Sequence, residues 1–276
     1  MTRVEEALEA ARSENRAALI AYLPVGFPDV PRSIEAMRAV VEAGADIVEV
    51  GFPYSDPMMD GPIIQDAASR ALAGGVRMDD VFEAVRGVVE AGGAAAVMSY
   101  WNPILRRGVD NFAREFAAAG GSGVITPDLI PDEGREWEEA AAAHDVCPIY
   151  LVAPSSKEDR LAMTARHCRG FVYVASTMGV TGTRSSVSSG AEVLVARTRA
   201  VTDLPLCVGL GVSTREQAAQ VASYADGVIV GSALVKTLIG EEPWEERLAA
   251  LRTLAADLAA GVREGRSGGI RAGEGG

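Results

Sequence analysis

The feature of this sequence that most limits its fold is an alternation: short runs rich in β-branched and apolar residues are separated by longer Ala-rich stretches of helical period. Eight short runs are read, at Ala18–Leu23, Asp46–Val50, Ala95–Met98, Gly123–Ile125, Cys147–Val152, Phe171–Ala175, Leu206–Val208 and Gly227–Val230. Parallel strands require crossover connections, and a helix between each pair supplies them. Several helix ends carry small residues, as in EAGAD (42–46), EAGGA (90–94) and AAGGSG (118–123), where Gly suits the left-handed position that ends a helix. Helix starts are expected at a capping box, Ser213-x-x-Glu216, and at Pro131-Asp132 and Pro243. The pattern predicts an α/β chain folded as a single (β/α)8 TIM barrel over residues 1–262. Thr2–Ser13 reads as an extra N-terminal amphipathic helix that plugs the N-terminal face of the barrel. The Gly-rich stretch 263–276 has almost no apolar content and is expected to be a disordered tail.

Bulk properties narrow the function classes. With 276 residues and 48% hydrophobic content, the chain can bury one large core. A formal net charge of −12 without a Lys/Arg cluster argues against nucleic acid as a partner. No stretch approaches the roughly 18–20 apolar residues that span a bilayer, and the N-terminal residues lack a signal-peptide core, so no membrane association and a cytoplasmic location are expected. Cys147, Cys168 and Cys207 are far apart and read as buried small hydrophobes. His144 and His167 fall in helical stretches without a partner at ligand spacing, so no metal site is expected.

In such a barrel the chemistry sits on loops at the C-terminal ends of the strands. Glu49 lies inside an apolar strand, in phase with Ile47 and Gly51, and if that face turns inward its pKa rises and suits it to proton transfer. A structural Glu satisfied by a neighbouring tyrosine or amide explains the spacing equally well. Asp56 and Asp60 follow in a Pro/Gly loop, where acidic residues are usually solvated turn formers. The run 176–186 after the sixth strand suits a lid or a plain surface loop. The turns 208–217 and 230–236 place Gly where a strand gives way to a helix, so that backbone N–H groups can converge on an anion. Tight helix packing is the competing explanation for those glycines. A Rossmann fingerprint and a Gly-x-Ser-x-Gly elbow are both missing, and Lys236 is expected to be exposed on a helix.

The run VEVGFPYSDPMMDGPIIQ (48–65) resembles the signature of the tryptophan synthase α-subunit family. AYLPVGFPD (21–29), SYWNP (99–103), TPDLIPDE (126–133), MGVTGTR (178–184), VGLGVST (208–214) and GVIVGSALVK (227–236) follow in family order. The resemblance implies a carbon–carbon lyase that cleaves indole-3-glycerol phosphate to indole and glyceraldehyde 3-phosphate by a retro-aldol step. It implies Glu49 and Asp60 as the catalytic pair, with Tyr173 beside them. Around the indole it places Tyr22, Met98, Ile125, Pro127 and Leu151, with Thr181 touching Asp60 from the lid. Around the phosphate it places Gly182, Gly211, Gly231 and Ser232. It further implies an α2β2 assembly in which Asp56, Pro57 and Asn102 border the β subunit. The pyridoxal phosphate belongs to that β partner, leaving this subunit without a cofactor. Ile130, where many members carry Pro, and Met58-Met59, in place of the commoner Leu-Ala, depart from the pattern in loops used for docking. The alternatives weighed are another phosphate-binding barrel enzyme and a non-catalytic regulatory subunit. The first is disfavoured because no strand carries a catalytic Lys, the second because a buried carboxylate has no use in binding alone.

Overall fold

The computed structural model describes residues 1–57, 59–176 and 187–267 of the chain. Its strands are β1 (Ala18–Pro24), β2 (Ile47–Gly51), β3 (Ala94–Met98), β4 (Gly123–Ile125), β5 (Cys147–Ile149), β6 (Leu151–Val152), β7 (Val172–Ala175), β8 (Leu206–Gly209) and β9 (Gly227–Val230). All pair in parallel, in the order β5-β4-β3-β2-β1-β9-β8-β7-β6. The two ends of that order are consecutive in the chain, separated by Tyr150 alone, so the sheet curls into a TIM barrel. The fifth expected strand is therefore two short ones. Tyr150 donates its N–H to Cys168 Sγ at 3.3 Å while its carbonyl accepts from the Tyr173 N–H at 3.1 Å. Its side chain lies in the helix layer, where the hydroxyl donates to Glu138 at 3.0 Å.

The helices are α1 (Arg3–Ser13), α2 (Val30–Glu42), α3 (Pro62–Ala73), α4 (Met78–Glu90), α5 (Trp101–Arg107), α6 (Val109–Ala118), α7 (Arg135–Ala143), α8 (Glu158–His167), α9 (Val187–Arg199), α10 (Arg215–Ala222), α11 (Ser232–Thr237) and α12 (Trp244–Ser267). Period-two alternation on the strands separates two cores. Ile20, Ile47, Ala96, Ile125, Ile149, Phe171 and Ile229 fill the barrel interior, while Val48, Val50, Val97 and Val208 pack outward against the helices. Gly44, Gly92 and Gly120 take positive φ at the αβ joints, as their sequence positions require. After α7 the same job falls to Asp145, with φ 54°.

Helix α1 covers the N-terminal end of the barrel. Thr2 caps it in a capping box with Glu5, and Val4, Leu8 and Ala11 bury their side chains among the interior residues. The Val4 N–H donates to Ser122 Oγ at 3.2 Å. Two expectations need correcting. Helix α10 is capped by Thr214, which accepts from the Gln217 N–H, while Ser213 donates its N–H and hydroxyl to the Gln217 side chain at 2.8 and 3.1 Å. The expected boundary at 262 falls inside α12, which runs to Ser267 because its last turns carry anchors: Arg215 pairs with Glu264, and Arg266 with Asp226 at 2.6 Å. Residues 268–276 lie outside the described residues.

Candidate active site

Strand β2 fixes the position of Glu49. Val48 and Val50 point to the helix layer and Ile47 to the interior, so Glu49 must face inward. Its register partners are Tyr22 on β1 and Ala96 on β3, and the small Ala96 leaves the carboxyl room. Glu49 is fully buried, and neither carboxyl oxygen has a hydrogen-bond partner among the described residues. That is an uncommon state for a charged group. Burial pushes its pKa up to about 8, so the resting side chain is largely protonated at neutral pH. The structural alternative, a Glu held by a tyrosine or amide, is not what the geometry contains.

A cavity of about 350 Å³ opens above Glu49 at the C-terminal end of the barrel. Asp60 lines it from the segment that leads into α3, and partial burial raises its pKa above the usual carboxylate range. Tyr22 and Tyr173 line it from β1 and β7. Burial, then the nearby carboxylates, holds both phenols well above their ordinary pKa, so they remain hydrogen-bond donors. Two glycines make room for these rings. A Cβ on Gly51 would sit 2.5 Å from the Tyr22 hydroxyl oxygen, and one on Gly209 would sit 2.6 Å from that of Tyr173. Met98 and Leu151 complete the apolar wall, while Gly211, Gly231 and Ser232 stand at the cavity's β8 and β9 end. Gly211 takes φ +81°, which L side chains rarely adopt.

Several expected residues lie elsewhere. Ile125 is fully buried in the interior packing and does not line the cavity. Pro127 lines a neighbouring cleft with Leu129 and Tyr150, which meets the site only through Leu151. Thr181 and Gly182 lie outside the described residues. Asp56 and Asn102 are exposed and Pro57 is half-buried. The cavity also takes in Met59, Ile64, Pro154 and Ile229, which sequence reasoning did not select. Ile229 could have been found, since it shares the inward phase of Gly227 and Gly231. Ile64 and Pro154 come from the start of α3 and the loop after β6, where alternation gives no guide.

A larger cavity of about 740 Å³ lies at the opposite end, beside α1. Four of the arginines that line it are spent on structural pairs, Arg16 with Asp46, Arg169 with Glu5, and Arg199 and Arg266 with Asp226. Among the described residues no group of three or more His, Cys, Asp or Glu is placed to hold a metal ion. His144 and His167 instead pair with Asp110 at 2.8 Å and Glu138 at 2.9 Å on the helix side. Cys147 and Cys207 are buried in the interior, and Cys168 is largely buried against Tyr150. No helix among the described residues is long and apolar enough to cross a membrane.

A family model described as Tryptophan synthase alpha chain matches residues 8–263. The chain belongs to the tryptophan synthase alpha chain family. The alpha chain of Mycobacterium tuberculosis is 59% identical over 266 residues, covering 96% of this chain and 96% of that one. That of Mycobacterium ulcerans is 58% identical over 266 residues, covering 96% and 97%. A ligand-free crystal structure of a mutant M. tuberculosis tryptophan synthase superposes with TM-score 0.87 at 56% identity, covering 95% of this chain and 100% of that chain. A crystal structure of tryptophan synthase subunit alpha from Legionella pneumophila gives TM-score 0.85 at 33% identity, covering 95% and 98%. Membership of the tryptophan synthase alpha chain family makes this chain the lyase that the signature at 48–65 implied, of tryptophan biosynthesis and TIM-barrel fold, rather than another phosphate-binding barrel or a purely regulatory subunit. A tryptophan synthase alpha chain also implies a beta-subunit partner.

Proposed function

We propose that Glu49 and Asp60 carry out the family's cleavage of indole-3-glycerol phosphate, with Tyr173 as the neighbouring donor. The observation that carries this reading is the unpartnered, fully buried Glu49 carboxyl at the floor of a cavity whose wall contains Asp60. Protonated Glu49 donates its proton to indole C3, which converts the ring into an electron-accepting cation. Asp60 accepts the indole N–H and stabilises the charge that develops there. The resulting Glu49 carboxylate takes the proton of the hydroxyl on the carbon joined to C3. A carbonyl forms, the carbon–carbon bond breaks, and its electron pair restores the aromatic ring, leaving indole, glyceraldehyde 3-phosphate and Glu49 reprotonated.

Tyr22, Met98 and Leu151 supply the apolar contact that a flat ring needs, with Ile125 packed in the interior behind it and Pro127 in the neighbouring cleft beside Leu151. The backbone N–H groups about Gly211, Gly231 and Ser232 grip the phosphate, and the family resemblance adds Gly182 to the phosphate-binding residues and Thr181 to the substrate-binding ones. The electron sink is the protonated ring, so this subunit works without a cofactor, and pyridoxal phosphate serves the β partner that receives indole in an α2β2 assembly in the cytoplasm. Asp56, Pro57 and Asn102 border that partner. Exposed Met59, Leu105 and Ile130, on the segments following β2, β3 and β4, support docking at this end. The deciding experiment is Asp60→Asn in the full chain. Indole release should fall by at least about 10²-fold while binding of glycerol 3-phosphate stays within about twofold. An Asp60→Asn chain that still releases indole at the parent rate would overturn the assignment.

A further inference from the structure

Asp60 stands on a loop, yet proton transfer demands placement to well within an ångström. The loop needs an external brace, and a buried side chain outside the cavity supplies one. Tyr100 is 6% exposed and stands immediately before α5. Its hydroxyl accepts the backbone N–H of Met59 at 2.9 Å, one residue before Asp60. Its ring stacks on Tyr54 of the same loop, with centroids 4.9 Å apart and planes 24° from parallel. On the other side of Asp60, the Gln65 side-chain amide donates to the Asp60 carbonyl at 2.8 Å. Asp60 is thus held from both flanks by groups that line no part of the cavity. The brace extends further, because the Trp101 N–H, next to Tyr100, donates to Asp128 at 2.8 Å. The segments after β2, β3 and β4 are stitched together through residues 100 and 101.

We propose that Tyr100 is a positioning residue for the lyase reaction: it sets the Asp60 carboxylate by clamping Met59 and Tyr54, and touches no substrate itself. This rests on the reading of Asp60 above. The phenol matters in two separable ways. Its ring provides a flat buried surface for Tyr54, and its oxygen provides the acceptor that fixes the Met59 amide. Phe at this position keeps the first and loses the second, leaving Met59 free to trade its partner for water and the Asp60 carboxylate free to wander. The phosphate end of the site, at β8 and β9, is untouched by that change.

The test compares the full-length parent with Tyr100→Phe, Tyr54→Leu and Asp60→Asn. Indole formation, glycerol 3-phosphate binding, and hydrogen exchange at the Met59 amide are measured on each. Tyr100→Phe should lower kcat by about tenfold or more, leave glycerol 3-phosphate affinity within twofold, and speed exchange at Met59. A purely structural role would weaken glycerol 3-phosphate binding and kcat together, and would overturn the proposal, as would an unchanged kcat. Tyr54→Leu leaves the buried phenol in place and removes only its stacking partner, so it keeps the question open to measurement should Tyr100→Phe fail to fold. A loss of about threefold in kcat with unchanged phosphate affinity is expected from it, and no loss overturns the clamp. If Asp60→Asn is fully active, the reading of Asp60 has failed. If Asp60→Asn is silent and Tyr100→Phe matches the parent, only the inference about Tyr100 has failed.

Discussion

Glu49 holds its proton more tightly in the folded chain than in the unfolded one, with a pKa of about 8 against an ordinary glutamate value of 4.5. The folded state therefore carries the extra proton between those values, and stability contributed by this group is present at low pH and lost as pH rises through that window. Replacing Glu49 by Gln removes the slope. Thermal melts should place Glu49→Gln and the parent close together near pH 5, with the variant pulling ahead by the equivalent of a few kcal/mol near pH 9. Parallel melting profiles across that range would show that Glu49 is not protonated by burial. The same proton is the reagent of the reaction, so kcat/KM for indole release should decline above about pH 8, as the acid form is titrated away. Gly209 tests the crowding around the tyrosines. Gly209→Ala forces the Tyr173 hydroxyl out of its position, at a cost of about 1–3 kcal/mol in transition-state stabilisation. Steady-state kinetics should register about 10- to 100-fold loss while the circular dichroism spectrum stays that of the parent.

At the scale of the elements, local rules were legible where they were chemically redundant. Gly44, Gly92 and Gly120 were readable as helix ends because few other residues accept positive φ. Asp145 performs the same turn and was missed, since an acidic residue on a surface loop has many other uses. The cap of α10 lay one residue away from its expected place, because Ser213 and Thr214 are chemically equivalent candidates and only the path of the backbone selects between them. The fifth strand read as continuous, and its break at Tyr150 comes from partners brought in by other elements, Cys168 and Glu138. The end of α12 was misread on composition alone. Its glycines are contact points: a side chain on Gly265 would collide with the Ala219 carbonyl of α10. Gly265→Val should lower the melting temperature by about 3–10 °C, the equivalent of about 1–3 kcal/mol, and leave indole formation at 25 °C unchanged. A melting temperature equal to the parent's would mean that the α10–α12 contact does not support the barrel.

At the scale of the whole molecule, the exposed apolar residues at the C-terminal end of the barrel test the docking surface. Leu105 is 50% exposed on α5, one turn beyond Asn102. Leu105→Glu should weaken association with the β partner by about tenfold or more, measured by titration calorimetry, while basal indole formation by the isolated chain is unchanged. Unaltered affinity would move the docking surface away from α5. The sequence by itself determined the barrel, because strand and helix periods alternate regularly enough to leave one architecture. It also determined that Glu49 shares a strand face with Ile47 and Gly51, though not that this face turns inward, and the family, through the run 48–65. Only the tertiary structure decided that the Glu49 face turns inward, that its carboxyl has no partner among the described residues, that Ile125 and Pro127 do not line the cavity, and that Tyr100 reaches across to the loop of Asp60. Those facts depend on side chains from strands and loops far apart in the chain meeting at one point. Periodicity fixes which way a residue faces, but what it meets there is set by how the barrel closes.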